Sequence, residues 1–252
     1  MFVTEDFIYI HVPKTGGTFV TTVLKELYTK TNRFHYDTHG HDKYCSIADC
    51  KKQKEVLLTS IRNPFDYYVS HYKMGWWREN SNQFCYIPDV LKKYPDFPEL
   101  NFHQFVKFYN EFSYVDLDMN DVKDDTMGFY TKSLLDQLSY MPFGKIKQHP
   151  DYNAYFASHF LYRNLYSYDL LFDHIKCEDL NYELHRFLCN YFKKEDIDFI
   201  LEREKIYPLN NKTREDNDDY KKYYEGDEEL LEYVKEKERM VFEYFEYETE
   251  IF

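Results

Sequence analysis

The apolar run Phe7-Ile8-Tyr9-Ile10, followed by His11-Val12-Pro13-Lys14-Thr15-Gly16-Gly17-Thr18, constrains this chain more than any other segment. A short run rich in β-branched and aromatic residues reads as a buried strand, here over residues 5–12. Residues 18–29 then carry Val20, Val23, Leu24 and Leu27 on one side of a helix. The order is strand, tight glycine loop, helix. The chain has only 7 glycines, and two of them are adjacent in this loop. Such a loop turns successive backbone N–H groups toward one point, and the helix N-terminus adds the positive end of its dipole. That arrangement suits a phosphate. Here, however, the lysine precedes the glycine pair, whereas the Walker pattern places it after the glycines.

Val56-Leu57-Leu58-Thr59-Ser60-Ile61 reads as a second buried strand. Asn63-Pro64 then opens a helix through Val69 to about Tyr72, with Asn as N-cap and Pro at the first helical position. A third strand is expected from Leu170 to Lys176, and Glu178-Asp179-Leu180-Asn181 leads into a helix ending near Phe192. Residues 101–112 and 125–140 read as helices. Asp227 to about Phe245 reads as one amphipathic helix burying Leu230, Leu231, Val234, Val241 and Phe245. Residues 81–100, with Pro88, Pro95 and Pro98, form a loop or excursion, and residues 207–219 a polar loop. Strands separated by helices imply a three-layer α/β fold with a mostly parallel sheet flanked by helices. A length of 252 residues fits one such domain, 1–252, with residues 80–165 as an inserted helical region.

Arg62 falls at the C-terminal end of the second strand, the edge where ligands gather in open α/β sheets. Ser70 lies about two turns along the following helix. An arginine fork clamps a phosphate, and a serine hydroxyl adds one bond. The chain thus offers two anion cradles, one per strand end, and a nucleotide with two separated phosphate groups would fill both.

The net charge of −13 makes the chain a poor general binder of nucleic acid or anionic membranes, so an anionic ligand needs a local basic cluster. The five cysteines are odd in number and scattered, which argues against a disulfide framework. The first strand begins directly at the N-terminus, no signal peptide precedes it, and no apolar run approaches the ~20 residues of a membrane span. A soluble, cytoplasmic protein is expected. The 20% aromatic content is read as nucleotide composition bias rather than function.

Together, Pro13-Lys14-Thr15-Gly16-Gly17-Thr18 and Arg62-Asn63-Pro64-Phe65-Asp66, with Ser70 eight residues after the arginine, resemble the two phosphate motifs of one enzyme family. That family is the sulfotransferases that use 3′-phosphoadenosine 5′-phosphosulfate (PAPS). His39-Gly40-His41 is similar to a triplet of the carbohydrate branch, of the heparan sulfate 2-O type, where the second histidine is the general base. Phe172 to Leu180 resembles the family's late strand and helix start. Asn211-Lys212-Thr213, with the Tyr-rich C-terminal helix, resembles its cofactor-closing loop and final helix. The resemblance implies a P-loop NTPase-like sheet and PAPS as co-substrate, with no metal. Thr15, Gly16, Gly17 and Thr18 would hold the 5′-phosphate, Lys14 would stabilise the leaving oxygen, and Arg62 and Ser70 would hold the 3′-phosphate. Lys212 and Thr213 would contact the cofactor. His41 would take the proton of an acceptor hydroxyl, a role His39 could share, replace or support by orienting the substrate. The acceptor implied is a carbohydrate or other hydroxyl compound, and residues 80–165 would shape its pocket.

Other readings stay open at this level. His35, His39, His41, Cys45 and Cys50 raise a zinc site, but their spacing fits no structural zinc pattern. A P-loop-like nucleotide kinase or phosphotransferase would need Mg²⁺ and a lysine after the glycines. A non-catalytic nucleotide-binding protein would bind 3′-phosphoadenosine without transfer. Trp76-Trp77 reads either as an acceptor contact or as a buried aromatic pair.

Overall fold

A computed structural model of the protein describes residues 1–38, 56–83, 88–112, 127–138, 172–204 and 219–252. The described strands and α-helices run β1 (Phe2–Thr4), β2 (Phe7–Ile10), α1 (Gly17–Lys30), β3 (His35–Asp37), β4 (Val56–Ile61), α2 (Pro64–Met74) and α3 (Trp76–Glu79). They continue with α4 (Pro88–Lys93), α5 (Phe102–Phe112), α6 (Phe129–Leu138), β5 (Phe172–Lys176), α7 (Leu180–Leu188), α8 (Lys194–Ile197), α9 (Glu228–Lys237) and α10 (Arg239–Tyr244). The chain divides into two compact units, Met1–Arg62 with Ser133–Leu209, and Asn63–Lys132 with Asn210–Phe252.

The first unit holds a five-stranded sheet of order β3-β1-β2-β4-β5. β2, β4 and β5 pair in parallel, whereas β1 is antiparallel to both β2 and β3. The fold is therefore α/β with a mixed sheet flanked by helices, not the mostly parallel sheet expected. The reason is local. Only Glu5 and Asp6 join β1 to β2, far too few for a parallel crossover, so the two strands form a hairpin. Thr4 locks the turn: its hydroxyl donates to the Phe7 carbonyl at 2.7 Å and accepts from the amides of Asp6 and Phe7.

Pairing of Ile10 with Thr59 and of Ile61 with Lys176 brings the C-terminal ends of β2, β4 and β5 to one edge. All four residues of β2 are buried, as are the last five of β4. α1 packs Phe19, Val20, Val23, Leu24, Leu27 and Tyr28 into a core shared with Phe7, Tyr9 and Leu58 of the sheet and Leu184, Phe187 and Leu188 of α7. Residues at i, i+3, i+4 and i+7 supply that stripe, the pattern already visible in the sequence.

The second unit is helical and aromatic. α2 starts as expected, with the Asn63 side chain accepting from the Phe65 amide at 2.9 Å and Pro64 in the first turn. It ends at Gly75, whose φ of 68° is the left-handed conformation that glycine adopts without penalty. The Tyr67 and Tyr130 rings stack with centroids 3.8 Å apart, and Trp77 packs on Phe105 at 5.3 Å. Trp77 is fully buried, whereas Trp76 is exposed.

The single C-terminal helix read from the sequence is two helices, α9 and α10, broken at Glu238. Leu230, Val234, Val241 and Phe245 are buried as read, while Leu231 is half-buried. The Glu238 carboxylate is fully buried and accepts from the Tyr68 hydroxyl, the Tyr130 and Thr131 amides and the Thr131 hydroxyl. It thereby receives amides from the first turn of α6, the end at which an anion is favoured.

Candidate functional site

The glycine loop connects β2 to α1 at the strand-end edge of the first unit. Gly16 is the N-cap of α1, with φ 89°. Its carbonyl accepts from the Phe19 amide at 3.0 Å, closing the first turn. Gly17 opens the helix at the end where N–H groups lack an intrahelical acceptor. A Cβ on Gly17 would collide with the imidazole of His11, so only glycine allows the ring to pack this closely on the loop backbone. A Cβ on Gly16 would lie 2.6 Å from Leu180 Cδ2 and 3.3 Å from Cys177 Sγ. Gly17 is required by the packing of His11, whereas Gly16 is favoured chiefly by its left-handed φ.

Lys14 has φ 65°, a left-handed conformation unusual for a residue with a side chain. Two groups at the end of β4 hold this part of the loop. Arg62 is 3% exposed, and its Nη1 donates to the Lys14 carbonyl at 3.0 Å. Ser60 Oγ lies 2.8 Å from the Thr15 hydroxyl and 2.7 Å from the Tyr9 hydroxyl. The Thr15 hydroxyl donates to the Val12 carbonyl at 2.8 Å. Burial pushes the Tyr9 phenol well above its ordinary range, so it keeps its proton. At this edge the loop offers helix-terminal amides and a lysine, beside an arginine from the neighbouring parallel strand. The chemistry available is the holding of an anion.

The structure therefore brings Lys14, Thr15, Gly16, Gly17, Thr18 and Arg62 together in one unit. Ser70 lies half-buried on α2 and is described with the helical unit alone. His39, His41, Lys212 and Thr213 lie outside the described residues, as do Cys45 and Cys50. Among the described residues, no group of three or more His, Cys, Asp or Glu is placed to hold a metal. The sequence reading missed Tyr9, His11 and Ser60. The available signal was the pair of hydroxyls, Thr59 and Ser60, in an otherwise apolar strand just before Arg62.

No protein-family model matches the chain, and neither a curated protein nor a solved structure does. Among the described residues, no helix is long and apolar enough to cross a membrane.

Proposed function

We propose that this chain is a sulfotransferase that moves a sulfuryl group from 3′-phosphoadenosine 5′-phosphosulfate to a hydroxyl acceptor, most simply a carbohydrate. One observation carries the reading: the end of β2 bears a lysine-first glycine loop, and the adjacent parallel strand β4 ends in a buried arginine that reaches this loop. The two residue sets are those of the two motifs that resemble the family. The fit is supported by the close approach of the His11 ring to Gly17 and of Leu180 and Cys177 to Gly16, which pack around the loop.

In this reading the amides of Thr15 to Thr18 hold the 5′-phosphate, and Lys14 stabilises charge on the bridging oxygen. Arg62 is assigned to the 3′-phosphate, the group that distinguishes this donor from ATP, and Ser70 keeps the role given by the resemblance. Lys212 and Thr213 likewise remain cofactor contacts by resemblance. The donor, when bound, supplies the sulfuryl group. His41 accepts the proton of the acceptor hydroxyl, with His39, two residues before it in sequence, as the second candidate. A P-loop NTPase-like sheet and a cytoplasmic location belong to the same proposal.

Thermal unfolding with 3′-phosphoadenosine 5′-phosphate, set against ATP with Mg²⁺, tests it. A ligand at ~100 times its dissociation constant stabilises the folded state by ~2.7 kcal/mol. Stabilisation by the bisphosphate is expected. Stabilisation by ATP–Mg²⁺ alone would point to a phosphotransferase and refute the reading.

A further inference from the structure

The end of β4 grips the glycine loop at two consecutive residues. Ser60 is the penultimate residue of β4, and Arg62 immediately follows its last residue, Ile61. Arg62 holds the Lys14 carbonyl and Ser60 meets the Thr15 hydroxyl. Lys14 needs such support: a left-handed φ at a residue with a Cβ persists only where its surroundings over-determine it.

The hydroxyl protons can be placed by elimination. The Val12 carbonyl can only accept, so the Thr15 hydroxyl donates to it. That uses the only proton of Thr15, and the contact with Ser60 must be donated by Ser60. The Ser60 proton is then used as well, and Tyr9 must be the donor in the remaining contact. The bonds run one way, Tyr9 to Ser60 to Thr15 to the Val12 carbonyl. All three side chains are buried, so no exposed alternative competes.

We propose that Ser60 is a positioning residue of the anion loop: its hydroxyl, supplied by Tyr9, fixes Thr15 and with it the direction of the amides at residues 15–18. The loop is thus set before any anion arrives. The anion-binding part of this inference rests on the proposed function; the bracing of the loop does not.

The direction of the bonds ranks the variants. Ser60→Ala removes the donor to Thr15 and leaves the Tyr9 proton unmatched. Tyr9→Phe leaves the Ser60–Thr15 bond in place and removes only a donor to Ser60. The test pairs hydrogen exchange of the ligand-free protein with titration of 3′-phosphoadenosine 5′-phosphate. In Ser60→Ala, exchange at residues 14–18 should rise while the β4 amides and those of α1 beyond its first turn stay protected, and the bisphosphate should bind about tenfold more weakly. Tyr9→Phe should lose less than half of that factor, and Ser60→Thr, which keeps the hydroxyl, should restore loop protection. Unchanged loop exchange in Ser60→Ala, or a larger effect of Tyr9→Phe, overturns the proposal. A wild-type protein that ignores the bisphosphate, while Ser60→Ala still loosens the loop, overturns the anion reading and sustains the brace.

Discussion

Gly16→Ala probes how far the loop depends on its backbone conformation. Gly16 has φ 89°, and an alanine there enters the left-handed region at a cost of roughly 1–2 kcal/mol. The new Cβ would also sit 2.6 Å from Leu180 Cδ2, where ordinary contact begins at 3.4 Å. Leu180 can swing its tip aside, and an off-rotamer side chain costs about 0.5–1.5 kcal/mol. The net loss is about 2 kcal/mol, or ~4–8 °C in Tm for a chain of this size. Misdirected amides should also cost about one charge-assisted hydrogen bond to a phosphate, ~1.5–3 kcal/mol, which is roughly tenfold to a hundredfold in affinity. Urea melts give the first quantity and calorimetric titration of the bisphosphate the second. Two comparisons separate the causes. Gly16→Asn should be milder than Gly16→Ala, because asparagine tolerates the left-handed region, and Gly16→Val should be worse. In a Leu180→Ala background only the steric share of the loss should vanish. A Gly16→Ala protein within 0.5 kcal/mol of wild type, or asparagine as harmful as valine, would refute the backbone argument.

Other outcomes follow from the same geometry. Glu238→Ala leaves the Tyr130 and Thr131 amides and the Thr131 hydroxyl without their buried acceptor, and should cost roughly 3–5 kcal/mol in urea melts; a loss below ~1 kcal/mol contradicts the account. Burial raises the Glu238 carboxyl above its ordinary 4.5, outweighing the hydrogen bonds from Thr131, Tyr68 and the backbone that lower it. The stability linked to that shift is fully present below 4.5 and is lost as pH rises through the higher folded value. The stability of wild type relative to Glu238→Gln should therefore fall on going from acid to neutral pH, and a flat difference would contradict it. His41→Ala should lower sulfuryl transfer by ~10²–10⁴-fold while leaving bisphosphate affinity within about twofold. Full activity in that variant would remove His41 from the mechanism.

The elements that position the site were legible because their signals are local. β2, the glycine loop and α1 follow from an apolar run, a glycine pair and an amphipathic stripe. β4 and the start of α2 follow equally from an apolar run, an asparagine cap and a proline. The strands that make the sheet mixed were not legible. β1 and β3 have three residues each, too short for any periodicity to emerge, and β3 lies in a polar stretch with no apolar run to mark it. The break at Glu238 was hidden because a glutamate in an amphipathic helix is expected to face water. Here its carboxylate instead turns inward to meet the start of α6, a partner over a hundred residues away. At the site, Arg62 was read as a phosphate clamp, with no sign of a partner in the glycine loop. Its bond to the Lys14 carbonyl depends on strand register, which no single segment encodes. The same holds for Ser60, whose partners come from β2 and the loop.

The most direct test of the central claim is calorimetric titration of the wild-type protein and Arg62→Ala with 3′-phosphoadenosine 5′-phosphate, with adenosine 5′-phosphate as the control lacking the 3′ group. The account predicts that wild type binds the bisphosphate well above the control, and that Arg62→Ala largely erases this preference. Equal affinity for the two nucleotides, or a preference that survives in Arg62→Ala, would contradict it.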